Sequence, residues 1–455
     1  MDIIDTWQTI FDLLDFKSQI RLLSTNHYLR THLIITDLFN IRSKYLNTLT
    51  NPILRQSIFS RITKLNISDN TKVSSISHLT KLSILHINDQ IRQTDIPNLN
   101  LKQLNVKDNH RVINVTSMKH LQILCAQGNC GIGQEGIQGL NLVQLDISNN
   151  PKIIDVSFMK SLKILCVDYP SCGINQKGID GLDLLELYVH NNPKVVNVSF
   201  MKNLRILCAS GDHCGIDQKG IDGLNLFKLI VNNNRSITDI SFMSNLQFLF
   251  AANSVIGQNS ILKLNLVELN ASNNPNIIDV KHMTKLQILD ASWKSGINQN
   301  GICNLNLFQI NTWNNDKIFD VSYMTNLKIL NANGKSGIDQ TNILNLNLKT
   351  LFAKNNSKII NVNHLTNLRR LDASYDSGID QNGISKLNLQ MLTVDDNPKI
   401  VDVNHMTKLK RLEACRTSGV RQDGIQNINL VYLQSSANNK IVDCSHMTKL
   451  VEWYH

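Results

Sequence analysis

The sequence predicts an α/β solenoid: a curved parallel sheet of short strands, each returned by a short helical segment, with a small all-α segment ahead of it. Three observations carry this. One phrase recurs, as "CGIGQEGIQGLNL" (130–142), "CGINQKGIDGLDL" (172–184), "CGIDQKGIDGLNL" (214–226), "SGINQNGICNLNL" (295–307) and "SGIDQNGISKLNL" (377–389), at one or two periods of 40–42 residues. Self-similarity at a fixed period of this length marks a repeat architecture. Between recurrences the chain alternates with period two, as in Leu145–Asp146–Ile147, which is a strand with one buried face. Residues 1–45 stand outside the repeat, and there Trp7, Ile10, Phe11 and Leu14 recur at i, i+3, i+4, i+7, one face of a helix.

Each 41-residue unit splits into two unlike turns. The first type, as in "LVQLDISNNPKIIDVSFMKS" (142–161), follows L-x-x-L-x-I-x-x-N-x-x-I. The second type, as in "LKILCVDYPSCGINQKGIDGLD" (162–183), closes with G-I-x-Q-x-G-I-x-x-L. The first type opens at Ile62 and again up to Leu430, the second at Leu82 and again up to Leu409, with a truncated turn from Leu450. About nineteen turns at roughly 4.8 Å each give a ribbon on the order of 90 Å long. Asparagines at the ninth position of first-type turns, from Asn70 to Asn438, are expected to satisfy backbone groups where the chain bends. Both returns read as one helical turn, with Asp155 and its equivalents as N-caps in the first type. In the second type Ile179 and Leu182 face inward and the glutamines from Gln134 to Gln422 form an outer ladder. Residues 62–455 resemble a leucine-rich-repeat domain, the G-I-x-Q-x-G-I-x-x-L turns being similar to its ribonuclease-inhibitor and GALA subclasses.

Ahead of residue 46, "DFKS" breaks the first helix, Ser18 is placed to cap a second holding Ile20, Leu22 and Leu23, and Leu29 and Leu33 mark a third. Residues 46–61 read as a connector and N-terminal cap. The stretch "IFDLLDFKSQIRLLSTNHYLRTHL" (10–33) resembles an F-box, with Asp5 at the acidic position and a bulky residue before Arg30. It departs from that pattern in lacking Leu-Pro-x-Glu and in placing Asn26 and Leu29 where Cys and Trp are usual. The combination is similar to F-box/leucine-rich-repeat proteins of giant viruses.

Hydrophobic content of 42% and seven prolines fit a folded chain without long linkers. The net charge of +10 has no run of five like charges behind it. The start "MDIIDTWQTIFDLL" lacks the basic, apolar pattern of a secretory signal, and no window suggests a spanning helix. Nine cysteines without C-x-x-C fit thiols in a reducing compartment, so the expected location is intracellular and cytoplasmic, with no membrane partner. No P-loop or nucleophile-elbow motif is present, so the sequence calls for no enzyme, cofactor or catalytic residue.

Three residue sets invite functional readings and are weighed against structural ones. His78, His282, His364, His405 and His446 share a position with Phe158, Phe200, Phe242 and Tyr323, two turns apart at about 10 Å, too far to share a zinc. Packing is expected there and no metal. Cys130, Cys172 and Cys214 alternate with serine in other turns, which argues against a reactive thiol. A basic row, Lys72, Arg111, Lys152, Lys194, Lys317, Lys358, Lys399 and Lys440, is often followed by an acid three residues on. It reads as a solvated edge, with steering of an acidic partner as the sharper alternative and nucleic acid set aside for want of a stacking set.

The inner face carries the partner-binding expectation. Position 3 of second-type turns runs Ile84, Ile123, Ile164, Ile206, Phe248, Ile288 and Ile329, then switches to Arg370 and Arg411. An apolar stripe on an exposed sheet marks a partner surface, flanked by Tyr188, His190, Phe250, Trp313 and Phe352 as aromatic anchors. The F-box resemblance implies that Trp7, Ile10, Phe11, Leu14 and Ile20 dock on the adaptor of a cullin–RING ubiquitin ligase, a host's adaptor if the chain is viral, while the concave face holds an unidentified protein target. The alternative is a repeat scaffold or decoy whose N-terminal helices only cap the solenoid. At "LVEWYH" (450–455) the last turn is expected to expose a sheet edge unless Trp453 and Tyr454 cover it.

Overall fold

The computed structural model describes residues 3–41 and 43–455, in two compact units, residues 1–226 and 227–455. The first unit begins with α1 (Ile3–Asp12), α2 (Phe16–Thr25) and α3 (His27–His32). Asp15, and not Ser18, caps α2, its carboxylate accepting the Ser18 amide at 2.7 Å. Asn26 caps α3 by accepting the Leu29 amide at 3.2 Å, a reason for the residue that departs from the F-box pattern. The Asp5 and Arg30 side chains lie outside the described residues.

A two-residue strand, β1 (Asp37–Leu38), pairs in parallel with β2 (Lys64–Asn66). The sheet therefore starts one turn ahead of Ile62, inside the segment read as helical. Two strand residues are too few to show alternation, which is why the sequence pattern hides it. The connector is likewise a stacked turn: the buried Asn70 amide donates to the Leu46 and Leu49 carbonyls at 2.6 and 3.1 Å.

From Lys64 onward every strand is three residues long and parallel to the next, in both units. Each but the last, Glu452–Tyr454, has its middle residue buried and, in nearly all, both flanks half-exposed, as in Ile164–Cys166 and Ile288–Asp290. Leucines at positions 1 and 4 and aliphatic residues at position 6 fill the interior, for example Leu162, Leu165 and Val167, each at most 1% exposed. This is a leucine-rich-repeat solenoid.

Three polar ladders tie each turn to its neighbours. Inside, Asn150 donates to the Ala126 and Ile132 carbonyls and accepts the Lys152 amide, which fulfils the role expected of the ninth position. On the return, Gln134 Oε1 accepts the Ile154 and Asp155 amides at 3.0 and 2.9 Å while Nε2 donates to the Asp155 carbonyl at 2.8 Å. Gln299 repeats this on Phe319 and Asp320 in the second unit. A third ladder went unread in the sequence: the asparagine of "LNL" grips the next turn's hydroxyl, as Asn141 grips Ser161 and Asn306 grips Thr325.

Only the second-type return is helical, as in Gln134–Ile137 and Gln299–Ile302, with Ile179 and Leu182 buried as expected. The first-type return is a pair of turns. Asp155 accepts the Ser157 amide two residues on at 2.8 Å, an Asx turn in place of the expected helix cap. The last strand, Glu452–Tyr454, pairs with Tyr432–Gln434. Trp453 and Tyr454 thus belong to the sheet itself, Trp453 donating to Ser435 Oγ at 3.0 Å.

Candidate protein-interaction surfaces

Much of the polar pattern that invited functional readings is engaged in the stack. The basic row does not face its acids: Lys152, Lys194, Lys317, Lys358 and Lys440 donate to the carbonyls of Cys130, Cys172, Ser295, Ser336 and Ser418 at 2.6–2.8 Å. Lys399 does so to Ser377. These ammonium groups close backbone acceptors where cysteine or serine replaces the ladder asparagine. His282, His364, His405 and His446 each place Nε2 at 3.0–3.2 Å from the carbonyl of the preceding return. Because a carbonyl only accepts, Nε2 carries the proton there, and Tyr323 Oη makes the same bond to Ile302 at 3.0 Å. Packing with one hydrogen bond accounts for the row.

The cysteines form no disulfide among the described residues. Burial pushes the Cys130 and Cys172 thiols up to about 11, and burial with Asp146 beside it lifts Cys125 to about 12. Burial and the carboxylates of Asp146, Asp168 and Glu186 raise Cys166 still further. A thiol in that range is almost wholly protonated at neutral pH and is a poor nucleophile.

The five residues assigned to an adaptor divide. Phe11 is fully buried, and Gln8 beside it exchanges hydrogen bonds with the backbone of Ile34 at 2.9 and 3.0 Å. Phe11 is therefore out of a partner's reach, and Gln8 is what ties α1 to the Ile34 backbone. Leu14 is half-buried. Trp7, Ile10 and Ile20 are 39%, 45% and 42% exposed. Leu13 joins them at 83%; its place three residues after Ile10 was the available signal. Between α2 and the first turn lies a groove of about 870 Å³, lined by Phe16, Ile20, Leu23, Tyr45, Leu49 and Phe59.

All nine residues expected on the sheet face are half-exposed there. In the first unit the register alters the expected stripe. Position 3 reads Ile84–Gln103–Ile123–Gln144–Ile164–Glu186–Ile206 across adjacent strands. The isoleucines thus stand about 10 Å apart with polar side chains between them, and no continuous apolar strip forms. Tyr188 donates to Glu186 at 2.9 Å, and its hydroxyl is pushed up by burial and that carboxylate. The His190 amide donates to Asp168 at 2.6 Å and its ring meets Tyr169 edge-on at 5.6 Å. Burial still raises Asp168 above the ordinary carboxylate value.

In the second unit Phe248 packs on Phe227, Lys228 covers Phe250, and Arg370 lies over Phe352 at 4.9 Å. Ile288 sits between Glu268 and Gln309. Trp313 pairs with Trp293 at 4.9 Å. Trp293 was missed in the sequence, together with Tyr169, Tyr375 and Arg416. All four occupy position 8 of second-type turns, with φ of +76° at Tyr169, +58° at Trp293, +57° at Tyr375 and +54° at Arg416. Equivalent places elsewhere hold Gly128, Gly211, Asn253 and Gly334. Bulky residues in the left-handed region are strained, and such strain collects at binding sites. A column that should be glycine or asparagine and turns aromatic was the readable signal.

Comparison with known proteins shows the fold alone. No family model matches the chain, and no curated protein is similar to it. Among solved structures, an internalin of Listeria monocytogenes is 20% identical, covering 68% of this chain and 86% of its own, with a TM-score of 0.41. A leucine-rich-repeat protein of Leptospira interrogans is 18% identical over 89% of this chain and 94% of its own, at 0.34. The yeast Rad7 and Elc1 complex gives 13% identity over 88% and 89%, at 0.35. No helix among the described residues is long and apolar enough to cross a membrane.

One titration follows from the sheet face of the second unit. Burial raises Asp372 above the ordinary aspartate value of 3.8, partly offset by the Ser374 hydroxyl and amide. A raised folded-state value means that stability present below 3.8 is lost as pH rises through it. Asp372→Asn keeps the acceptor and removes the charge. Thermal melts are expected to show it as stable as the parent or more so at neutral pH, the difference closing as pH falls towards 3.8.

Proposed function

We propose that the chain is the target-binding subunit of a cullin–RING ubiquitin ligase, similar to the F-box/leucine-rich-repeat proteins of giant viruses. The carrying observation is the outward apolar face of α1. Trp7 and Ile10 are exposed on a helix that Gln8 already ties to the Ile34 backbone, and Leu13 is exposed just past its end. A helix serving only as a lid would turn its largest apolar side chains inward, whereas a helix-in-groove contact needs them outside. Ile20 and the groove beside α2 extend the surface. The sheet face would then present a protein target to the ligase, with Tyr188 and His190 in the first unit and Phe250, Trp313 and Phe352 in the second as anchors.

The second reading, a repeat scaffold whose helices cap the solenoid, is favoured by Phe11 itself, which lies in the core. Calorimetry decides between them. The purified chain is titrated with a ubiquitin-ligase adaptor beside a Trp7→Ala/Ile10→Asp variant whose fold is verified by circular dichroism. Micromolar binding weakened about tenfold in the folded variant supports the receptor. An intact chain that binds no adaptor is a scaffold.

A further inference from the structure

A second cation row lies at position 2 of the turns, where Lys163 and Lys328 reach backbone carbonyls while Lys349, Arg369 and Lys410 stand exposed. Position 2 of successive turns is joined by backbone hydrogen bonds, so its side chains stand in neighbouring strands. In the first unit the row runs Val143–Lys163–Leu185–Arg205, and each cation is separated from the next by an aliphatic residue. In the second unit it runs Phe227–Gln247–Val267–Gln287–Phe308–Lys328 and then breaks its own pattern: Lys328–Lys349–Arg369, followed by Gln390 and Lys410. Three like charges now stand about 4.8 Å apart, an arrangement that destabilises a sheet. In the same turns position 3 changes from isoleucine to Arg370 and Arg411.

Little nearby neutralises them. Arg411 pairs with Glu413 at 2.6 Å, and Lys328 Nζ reaches the Asn347 carbonyl at 3.3 Å. Lys349, Arg369, Arg370 and Lys410 are exposed, with no acid at ion-pair distance among the described residues. Neighbouring carboxylates face backbone amides: Asp372 accepts from Ser374 and Asp395 from Cys415. Arg370 and Arg411 lie over Phe352 and Tyr432, at 4.9 and 3.7 Å.

We propose that this sheet edge, from Lys328 to Arg411, binds an extended acidic segment of a partner protein. The clustered charge supplies complementarity and steering, and Arg with aromatic residues is the composition of protein-interface hot spots. A nucleic acid would need uncovered ring faces on which bases stack, and here Arg370 and Arg411 cover both rings. The proposal rests on the chain being a protein-binding subunit and names the chemistry of what it holds.

Fluorescence anisotropy with a labelled Glu-rich peptide tests it, beside a Gln-for-Glu counterpart and a single-stranded oligonucleotide of equal charge. Lys349→Glu/Arg369→Glu is compared with Lys294→Glu/Lys335→Glu, the same charge change at exposed positions elsewhere in the unit. The expected result is binding of the acidic peptide alone, weakened at least about tenfold in the first variant and less than about twofold in the second. No binding of the Glu-rich peptide, equal weakening in both variants, or tighter binding of the oligonucleotide overturns the proposal. Adaptor calorimetry on Lys349→Glu/Arg369→Glu is expected to match the parent, so failure at this edge is distinguishable from failure of the adaptor reading.

Discussion

Replacing Asn315 with alanine is expected to lower the stability of the folded chain by about 3–5 kcal/mol, more than any exposed substitution. Asn315 is 1% exposed. Its Nδ2 donates to the Ala291 and Ile297 carbonyls at 2.6 and 3.1 Å, and its Oδ1 accepts the Lys317 amide at 3.0 Å. Alanine leaves three backbone groups without those partners where water does not enter, and each unpaired buried group costs about 1–3 kcal/mol. The shape of the transition should change too. A solenoid turn touches only its neighbours, so one weakened junction lets the stack come apart in steps. Urea unfolding followed by circular dichroism is expected to show an earlier and broader transition than the parent. A midpoint no lower than that of the exposed-site variant Lys335→Ala would remove Asn315 from the list of residues holding the stack.

Asn315 also shows why the fold was legible. Period-two alternation and an asparagine at a fixed place are local patterns, and a stack repeats them in nearly every turn, so ten or more copies average out drift. Sequence spacing fails where the outcome depends on what lies across the turn. The lysines at Asn-plus-two look free in one dimension, yet they bond to carbonyls of the preceding turn, as Lys317 does to Ser295 at 2.6 Å. The isoleucines of position 3 look like a stripe only when second-type turns are read alone. Registering Ile164 between Gln144 and Glu186 breaks it up. Conversely, Lys349 and Arg369 lie twenty residues apart in sequence and become neighbours through one backbone hydrogen bond of 2.9 Å. In α1 the helical period correctly gathered Trp7, Ile10 and Phe11. It could not say that Phe11 faces the core while the other two face outward, since that depends on where Ile34 places its backbone.

The recurrent G-I-x-Q-x-G-I phrase owes its second glycine to a close approach, and Gly301→Ala is expected to cost about 2–3 kcal/mol. A β-carbon at Gly301 would lie 2.1 Å from the Ile278 carbonyl oxygen of the preceding turn, so the return must move outward. Moving it breaks the hydrogen bond from the Val280 amide to the Gly301 carbonyl, now 2.9 Å. The stack contains its own precedent. Where Ser260 and Asn342 replace this glycine, the equivalent bond from Ile240 or Val321 is not made, whereas Gly383 keeps its bond from the Val362 amide at 3.0 Å. Ser260 compensates by donating its hydroxyl to the Thr238 carbonyl at 2.8 Å, which alanine cannot do. Amide exchange at Val280 should therefore quicken in Gly301→Ala, and the urea midpoint should fall. Gly301→Ser should lose less, because its hydroxyl can reach the carbonyl that the alanine methyl only crowds. Equal losses in the two variants would mean that bulk alone, and not the lost acceptor partnership, decides this position.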